Sequence, residues 1–443
     1  MRIRLSDHFT YSRLLRFVLP SIVMMIFTSI YSVVDGLFVS NFVGKTPFAA
    51  VNLIFPLLMV LGALGFMVGT GGSAIVGKTL GAGEPVEANR YFSLLVYTAA
   101  AGGVLLAVLG FFLVRPVAVL LGAEGEMLEN CILYGRIILL ALPFFILQNV
   151  FQSFFVTAEK PKLGLAVTVT AGCTNIVLDA LFVAIFHWGL AGAAIATALS
   201  QTAGGLIPVF YFARKNSSLL RLGKTRFYGS VLLHTCANGS SELMSNIAAS
   251  VVTTLYNFQL LRLAGEDGVA AFGVVMYISF AFAAVFIGYS VGSAPLVSFH
   301  FGAGNTGELQ NLLRKSLLLM GSIGVAMALS CFLLSPSISG VFVGYDEGLL
   351  RITIHGMRIY AISFLFSGFN IFGSAFFTAL NNGAASAAIS FLRTLVFESG
   401  SVIILPYLWG MDGIWAATIA AELAALTITV AFLLFKRGRY QYF

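Results

Sequence analysis

Charge is what this chain has least of. Only 10% of its 443 residues are Asp, Glu, Lys or Arg, whereas 59% are hydrophobic, and the mean hydropathy is +0.95. A soluble domain carries about 25% charge, so a water-soluble globular fold is excluded and an integral membrane protein is expected. Cysteine is scarce as well. Cys131, Cys173, Cys236 and Cys331 are scattered through apolar runs without CxxC spacing, and they read as packing residues, not as a disulfide framework or redox motif. The five histidines (His8, His187, His234, His300 and His355) show no metal-ligand spacing, and no serine sits in a context that suggests a triad. No catalytic cluster and no nucleotide domain are present, so neither an enzyme nor an ATP-driven pump is expected, and no cofactor. Long polar loops are missing too. The N-terminus reaches its first apolar run near Phe17 without a small-residue cleavage site, so that run reads as a first membrane span.

What the chain does have is long apolar runs of roughly 20 residues, enough to cross a hydrocarbon core of about 30 Å as helix. Twelve are centred near residues 28, 62, 102, 144, 174, 201, 244, 283, 327, 365, 395 and 424. The chain also repeats itself at an ungapped offset of 221 residues. Gly44 falls on Gly265, Ala49-Ala50 on Ala270-Ala271, Gly71 on Gly292, and Gly81-Ala82-Gly83 on Gly302-Ala303-Gly304. Glu87 falls on Glu308, Thr157-Ala158 on Thr378-Ala379, Gly189 on Gly410, Gly192 on Gly413, and Ala196-Thr197 on Ala417-Thr418. The expected fold is therefore all-α, with six helices per lobe and the lobes related by a pseudo-twofold axis along the membrane normal. The longest polar stretch, Arg214 to Arg226, sits at the joint. It divides the chain into an N-lobe (1–212), a cytoplasmic linker (213–227) and a C-lobe (228–443). Duplicated halves in a chain this apolar are a mark of secondary transporters.

The net charge of +7 is a matter of topology. Eighteen Lys and Arg, from Arg2 and Arg4 through Lys78, Arg90 and the linker to Arg439, fall on one predicted side, and only Lys45, Arg115, Arg262 and Arg351 on the other. By the positive-inside rule both termini are expected in the cytoplasm, in a multi-pass protein of the cytoplasmic membrane, and no nucleic-acid partner is expected. Gly72 to Thr79 matches the P-loop pattern GxxxxGK[ST], but a phosphate cradle needs a strand before it, whereas this pattern ends a membrane helix. Its repeat counterpart, Ser293 to His300, lacks both the Gly and the Lys, so the match reads as coincidence and Lys78 as a topological anchor. The many small residues of the spans, such as Gly62, Gly65, Gly69, Gly71 and Gly72, read as tight helix packing within each lobe.

The informative residues are carboxylates inside spans, because a mid-bilayer charge costs about 2.5–3.5 kcal/mol and faces a cavity or a partner. Asp35 lies deep in the first span and Asp179 deep in the fifth, with Asn175 one turn before it on the same face. Two acids close together in low dielectric resist double ionisation, so such a pair can hold a proton, or a cation if neutral oxygens complete the shell. Glu242, Glu398 and Glu422 are further in-span acids. Arg136, Arg358 and Arg393 are available to neutralise some of them, and structural ion pairing is the reading for Glu398 and Glu422. Glu242 reads equally as a cavity residue that attracts cationic substrate.

These features together resemble the multidrug and toxic compound extrusion (MATE) family. The resemblance rests on Leu19-Pro20 and Tyr31-Ser32-Val33-Val34-Asp35 in the first span, on Phe42-Val43-Gly44, on Gly81-Ala82-Gly83 and on Asn175-Ile176-Val177-Leu178-Asp179. It covers essentially the whole chain and is nearest to the prokaryotic branch with an N-lobe coupling site. It implies a cation-coupling site of Asp35, Tyr134, Asn175, Asp179 and Thr197, with Na⁺ as a possible occupant of Asp35, Asn175, Asp179 and Thr197, and a hinge at Pro20. Another branch carries acids in its seventh and tenth helices. Here the tenth span has Asn370 in place of an acid and Glu242 lies about two turns early, which argues against a C-lobe sodium site. Asp35, Glu242 and Asn370 are the candidates for a substrate cavity. The function implied is antiport of cationic, amphiphilic organic compounds, as in multidrug efflux and antibiotic resistance, against H⁺ or Na⁺ by a monomer in the bilayer. The alternative is a flippase or exporter of lipid-linked or amphiphilic metabolites on the same two-lobed fold. That reading calls for a cationic cavity, whereas the five in-span acids outnumber the three arginines. The basic signature of a major-facilitator transporter is absent between Gly77 and Arg90.

Overall fold

The computed structural model describes residues 3–443, apart from the side chains of Leu37, Ser40, Lys45 and Glu266; Arg2 and the Lys45 side chain therefore lie outside the described residues. Helix is the only regular structure among them. The N-lobe comprises α1 (Tyr11–Phe38), α2 (Lys45–Gly81), α3 (Pro85–Leu120), α4 (Gly125–Thr157), α5 (Pro161–Asp179) and α6 (Gly189–Ala213). The continuous helical stretch Gly229–Gly302 is broken at Gly265, where φ 61° and ψ −146° lie in a region of backbone space open essentially to glycine alone. Its halves are α7 (229–264) and α8 (266–302). The C-lobe continues with α9 (Thr306–Val343), α10 (Glu347–Ala379), α11 (Gly383–Trp409) and α12 (Met411–Tyr440).

Eleven helices of the described residues are long and apolar enough to cross a membrane. The remaining one, α7, is diluted by the polar run Asn238 to Asn246, which contains Glu242, yet it packs beside α2 and the C-lobe helices as a span should. Local chemistry sets the helix starts. Pro85 and Pro161 occupy the first turns of α3 and α5, where no N–H is needed, and Asp346 caps α10 by accepting from the N–H groups of Gly348 and Leu349 at 2.8 and 3.0 Å. The P-loop-like segment is the interior of α2, with no strand before it, and Lys78 lies over the ring of Phe301 at 5.2 Å.

The repeat is visible in the turns. Gly44 and Gly265, Gly83 and Gly304, and Gly189 and Gly410 are repeat partners, and all six have positive φ. Several repeated glycines of the spans lie between the lobes, which corrects the expectation of packing within each lobe. A Cβ on Gly81 would collide with the carbonyl oxygen of Phe299, and one on Gly302, its partner, with that of Lys78. Likewise a Cβ on Gly71 would strike the backbone of Thr235 and Gly239 on α7, and one on Gly292 would press on Val18 and Ser21 of α1. Each contact has a counterpart across the axis, so the lobe interface is self-complementary in the manner of a twofold dimer. Gly62, Gly65 and Gly69 do pack within the N-lobe, against α4.

All these interface contacts sit at one end of the molecule. The same end gathers the termini and connections: His8 pairs with Glu308 at 2.6 Å, and Gln310 donates to the carbonyl of Phe443 at 3.3 Å. The segment after α6 is stitched to the N-lobe there, with Arg221 N–H donating to Asn89 at 2.6 Å and Gly223 N–H to Ser93 at 3.0 Å. At the other end Ile30, Phe55, Val251 and Phe258 are exposed. The contacts between the lobes thus form a clamp at the terminus-bearing face.

Candidate coupling site in the N-lobe

Helices α1 and α5 start at the same face and run side by side, and a glycine sets their separation. A Cβ on Gly172 would collide with Phe27 and lie 3.0 Å from Tyr31. One turn beyond that contact stand Asn175 on α5 and Asp35 on α1, and a further turn along is Asp179. Both carboxylates mark places where the helices loosen. Asp35 lies in the last turn of α1 before the wide turn Val39–Val43, and Asp179 closes α5 before the wide turn Ala180–Ile185. Such i→i+5 turns are rare and concentrate at functional sites.

The structure brings the expected residues together. Thr197 on α6 donates to Asp35 Oδ1 at 3.3 Å and accepts from Asn175 Nδ2 at 3.4 Å. Asp35 and Asp179 act electrostatically on each other, and the buried Tyr134 on α4 lies within the field of both. Asp179 and Asn175 are fully buried, whereas Asp35 and Thr197 are half-buried. The hydrogen bonds are long for side-chain pairs. Both carboxyl oxygens of Asp179 and the Asn175 Oδ1 are buried without a partner among the described residues. Three orphaned acceptors beside a second carboxylate need a positive charge or a proton, since buried acceptors otherwise find donors. The donor set is oxygen only, and among the described residues no group of three His, Cys, Asp or Glu exists. This chemistry fits a proton or Na⁺ and does not fit a transition metal.

The other expected residues fall elsewhere. Pro20 is buried inside α1, next to Ser21 and Ile22, against which Gly288 packs. The hinge candidate is thus part of the lobe interface and deprives the Arg16 carbonyl of its helical donor. Glu242 lies one turn beyond the contact of Gly239 with Met67, at the edge of the clamp, and its carboxylate makes no described hydrogen bond or ion pair. Asn370 is fully buried and donates to Glu422 Oε2 at 2.7 Å while accepting from Thr429 at 2.9 Å. In this conformation it faces the interior of its lobe and not a cavity. Glu422 is an ion-pair residue, with Arg393 Nη2 at 2.6 Å, as read from the sequence. Glu398 is not, because Arg393 is spent on Glu422.

Comparison with known proteins places this geometry in context. The family model MatE matches residues 20–181 and again 243–399, one stretch in each lobe. A multidrug export protein, MepA, of Staphylococcus saprophyticus is 23% identical over 430 residues, covering 94% of this chain and 92% of its own. A solved structure of a MATE protein in complex with MaL6 superposes with a TM-score of 0.90 at 23% identity, covering 97% of this chain and 96% of its own. An outward-facing multidrug resistance MATE transporter gives a TM-score of 0.90 at 22% identity, over 97% of this chain and 95% of its own.

Proposed function

This chain belongs to the MatE family of transporters and is not an enzyme, and from that premise we propose that it is a multidrug exporter driven by cation antiport. The observation that carries the coupling is the buried pair Asp35 and Asp179 with its orphaned acceptors. A proton or Na⁺ arriving from the face opposite the clamp neutralises the pair. Desolvated charge then no longer holds water or a cationic substrate in the N-lobe half of the cleft, and α1 bends near Pro20. Substrate leaves through the same face, and the ion leaves once the lobes rock to expose the opposite side. Tyr134 and Thr197 orient the pair, and Asn175 supplies a neutral oxygen.

Cationic, amphiphilic organic compounds are the proposed cargo. The positive charges of the spans are engaged: Arg136 stacks on Phe111 at 4.6 Å, Arg358 on Phe332 at 5.2 Å, and Arg393 pairs with Glu422. The unpaired Glu242 at the edge of the clamp remains to attract a cation. This distribution weighs against a lipid-linked pyrophosphate cargo. We place the termini, and with them the clamp between the lobes, on the cytoplasmic side from the basic bias of that face, in a protein acting as a monomer in the cytoplasmic membrane. Asp35→Asn and Asp179→Asn are each expected to abolish efflux of a lipophilic cation from proteoliposomes under imposed proton or sodium gradients, with normal amounts of folded protein. Wild-type efflux from both variants would overturn the coupling assignment. Whichever gradient alone drives the wild type identifies the ion.

A further inference from the structure

The repeat sends Asp35 to Tyr256, Asp179 to Gly400 and Thr197 to Thr418. By sequence, then, the C-lobe has lost both acids. In space it has not lost the site. Tyr256 on α7 and Thr418 on α12 are buried and hydrogen-bonded to each other at 2.8 Å, and both reach Oε1 of Glu398, at 3.5 and 3.4 Å. Thr418 therefore stands to Glu398 as its counterpart Thr197, at 3.3 Å, stands to Asp35. The acid has moved from the first helix of the lobe to the fifth, two residues from the counterpart of Asp179. Like Asp179, it borders a wide helical turn, here Leu392–Glu398.

We propose that Glu398, held by Tyr256 and Thr418, is a second proton-binding site, in the C-lobe and separate from Asp35 and Asp179. The charged and titratable groups facing it are Tyr256 from α7, Tyr360 from α10, Arg393 from its own helix and Glu422 from α12. The guanidinium is the only cation among them, and both its Nε and Nη2 are already committed to Glu422 Oε1, at 3.0 and 2.6 Å. Glu422 is further held by Asn370, so this pair is closed and Glu398 is left beside a net neutral neighbour with hydroxyls alone for company. The 2.8 Å bond between Tyr256 and Thr418 uses one of their two hydroxyl protons, so at most one hydroxyl donates to Glu398 and the other is left to accept, which suits a carboxyl that carries a proton and has no counter-ion. Two neutral oxygens make a poor sodium shell, so the occupant is a proton.

The test is pH-difference infrared spectroscopy of the full-length protein in lipid nanodiscs, following the carbonyl band of protonated carboxyls. In an Asp35→Asn/Asp179→Asn background, Glu398→Gln is expected to lower that band by the intensity of one carboxyl. An unchanged band overturns the proposal. Should Glu398→Gln not fold, Thr418→Val and Tyr256→Phe keep the carboxyl and remove its hydroxyl partners. Each is expected to shift the pH midpoint of the band, and an unshifted midpoint in both overturns the proposal equally. Because the N-lobe acids are absent throughout, failure here leaves the coupling assignment of Asp35 and Asp179 untouched, and failure of that assignment leaves this one standing.

Discussion

At the scale of single residues, chemically similar in-span acids fall into distinct environments. Glu422 is closed by Arg393 and Asn370, Glu242 has no described partner, Glu398 has hydroxyls only, and Asp179 has orphaned oxygens beside a second acid. A buried ion pair is most costly when half of it is removed, because the survivor stays desolvated. Glu422→Ala should therefore lower stability by about 3–5 kcal/mol, whereas Glu422→Leu combined with Arg393→Met should lower it by much less. Denaturation of the purified protein in detergent, comparing the single and double variants, checks this. Sequence reasoning found each acid, because a charge in an apolar run stands out by itself. It could not assign partners: the guanidinium that pairs with Glu422 lies 29 residues away, and nothing in the order of residues says that it ignores Glu398, five residues along its own helix.

At the scale of helices, two positions govern how α1 works. Gly172 lets α5 approach near Tyr31 and so brings Asp179 to Asp35. Gly172→Val is expected to part the helices and to remove ion-coupled efflux as fully as Asp35→Asn does, with the acids still in place. Transport by this variant at the wild-type rate would show that the pair tolerates separation. Pro20 weakens α1 within the lobe interface, and Pro20→Ala restores a helical hydrogen bond and a better helix former, worth about 3 kcal/mol in a helix interior. The variant should express normally and turn over more slowly in a proteoliposome efflux assay. The proline could be read from the sequence as a weak point. That the next two residues, Ser21 and Ile22, pack on Gly288 of the other lobe could not, because helix–helix neighbours are set by packing.

At the scale of the molecule, the clamp at the terminus-bearing face must open in each cycle if the lobes rock. Gly77 on α2 faces Ser298 on α8, with the Ser298 Cβ 3.3 Å from where a Gly77 Cβ would stand. That separation is close to the Cβ spacing of about 3.5–4.5 Å in disulfides. Gly77→Cys with Ser298→Cys, in a background lacking the four native cysteines, is therefore expected to cross-link the lobes under oxidation. Efflux should stop and should return on reduction. Efflux at full rate from the cross-linked protein would show that this clamp does not open during transport.

Residue order alone carries the class, the number of helices, the duplication and the list of candidate acids. Hydropathy, small-residue register and lone carboxylates are local signals, written in the order of residues. Which repeated glycines join the lobes, which end is clamped, which acid is paired and which is left open emerge from packing in three dimensions. The case of Glu398 gives the physical reason. An ungapped alignment compares residue i with residue i+221 and sees Asp179 replaced by Gly400. A folded lobe compares positions in space, where an acid two residues away on the same helix, with a wide turn beside it, reaches Tyr256 and Thr418, the counterparts of Asp35 and Thr197.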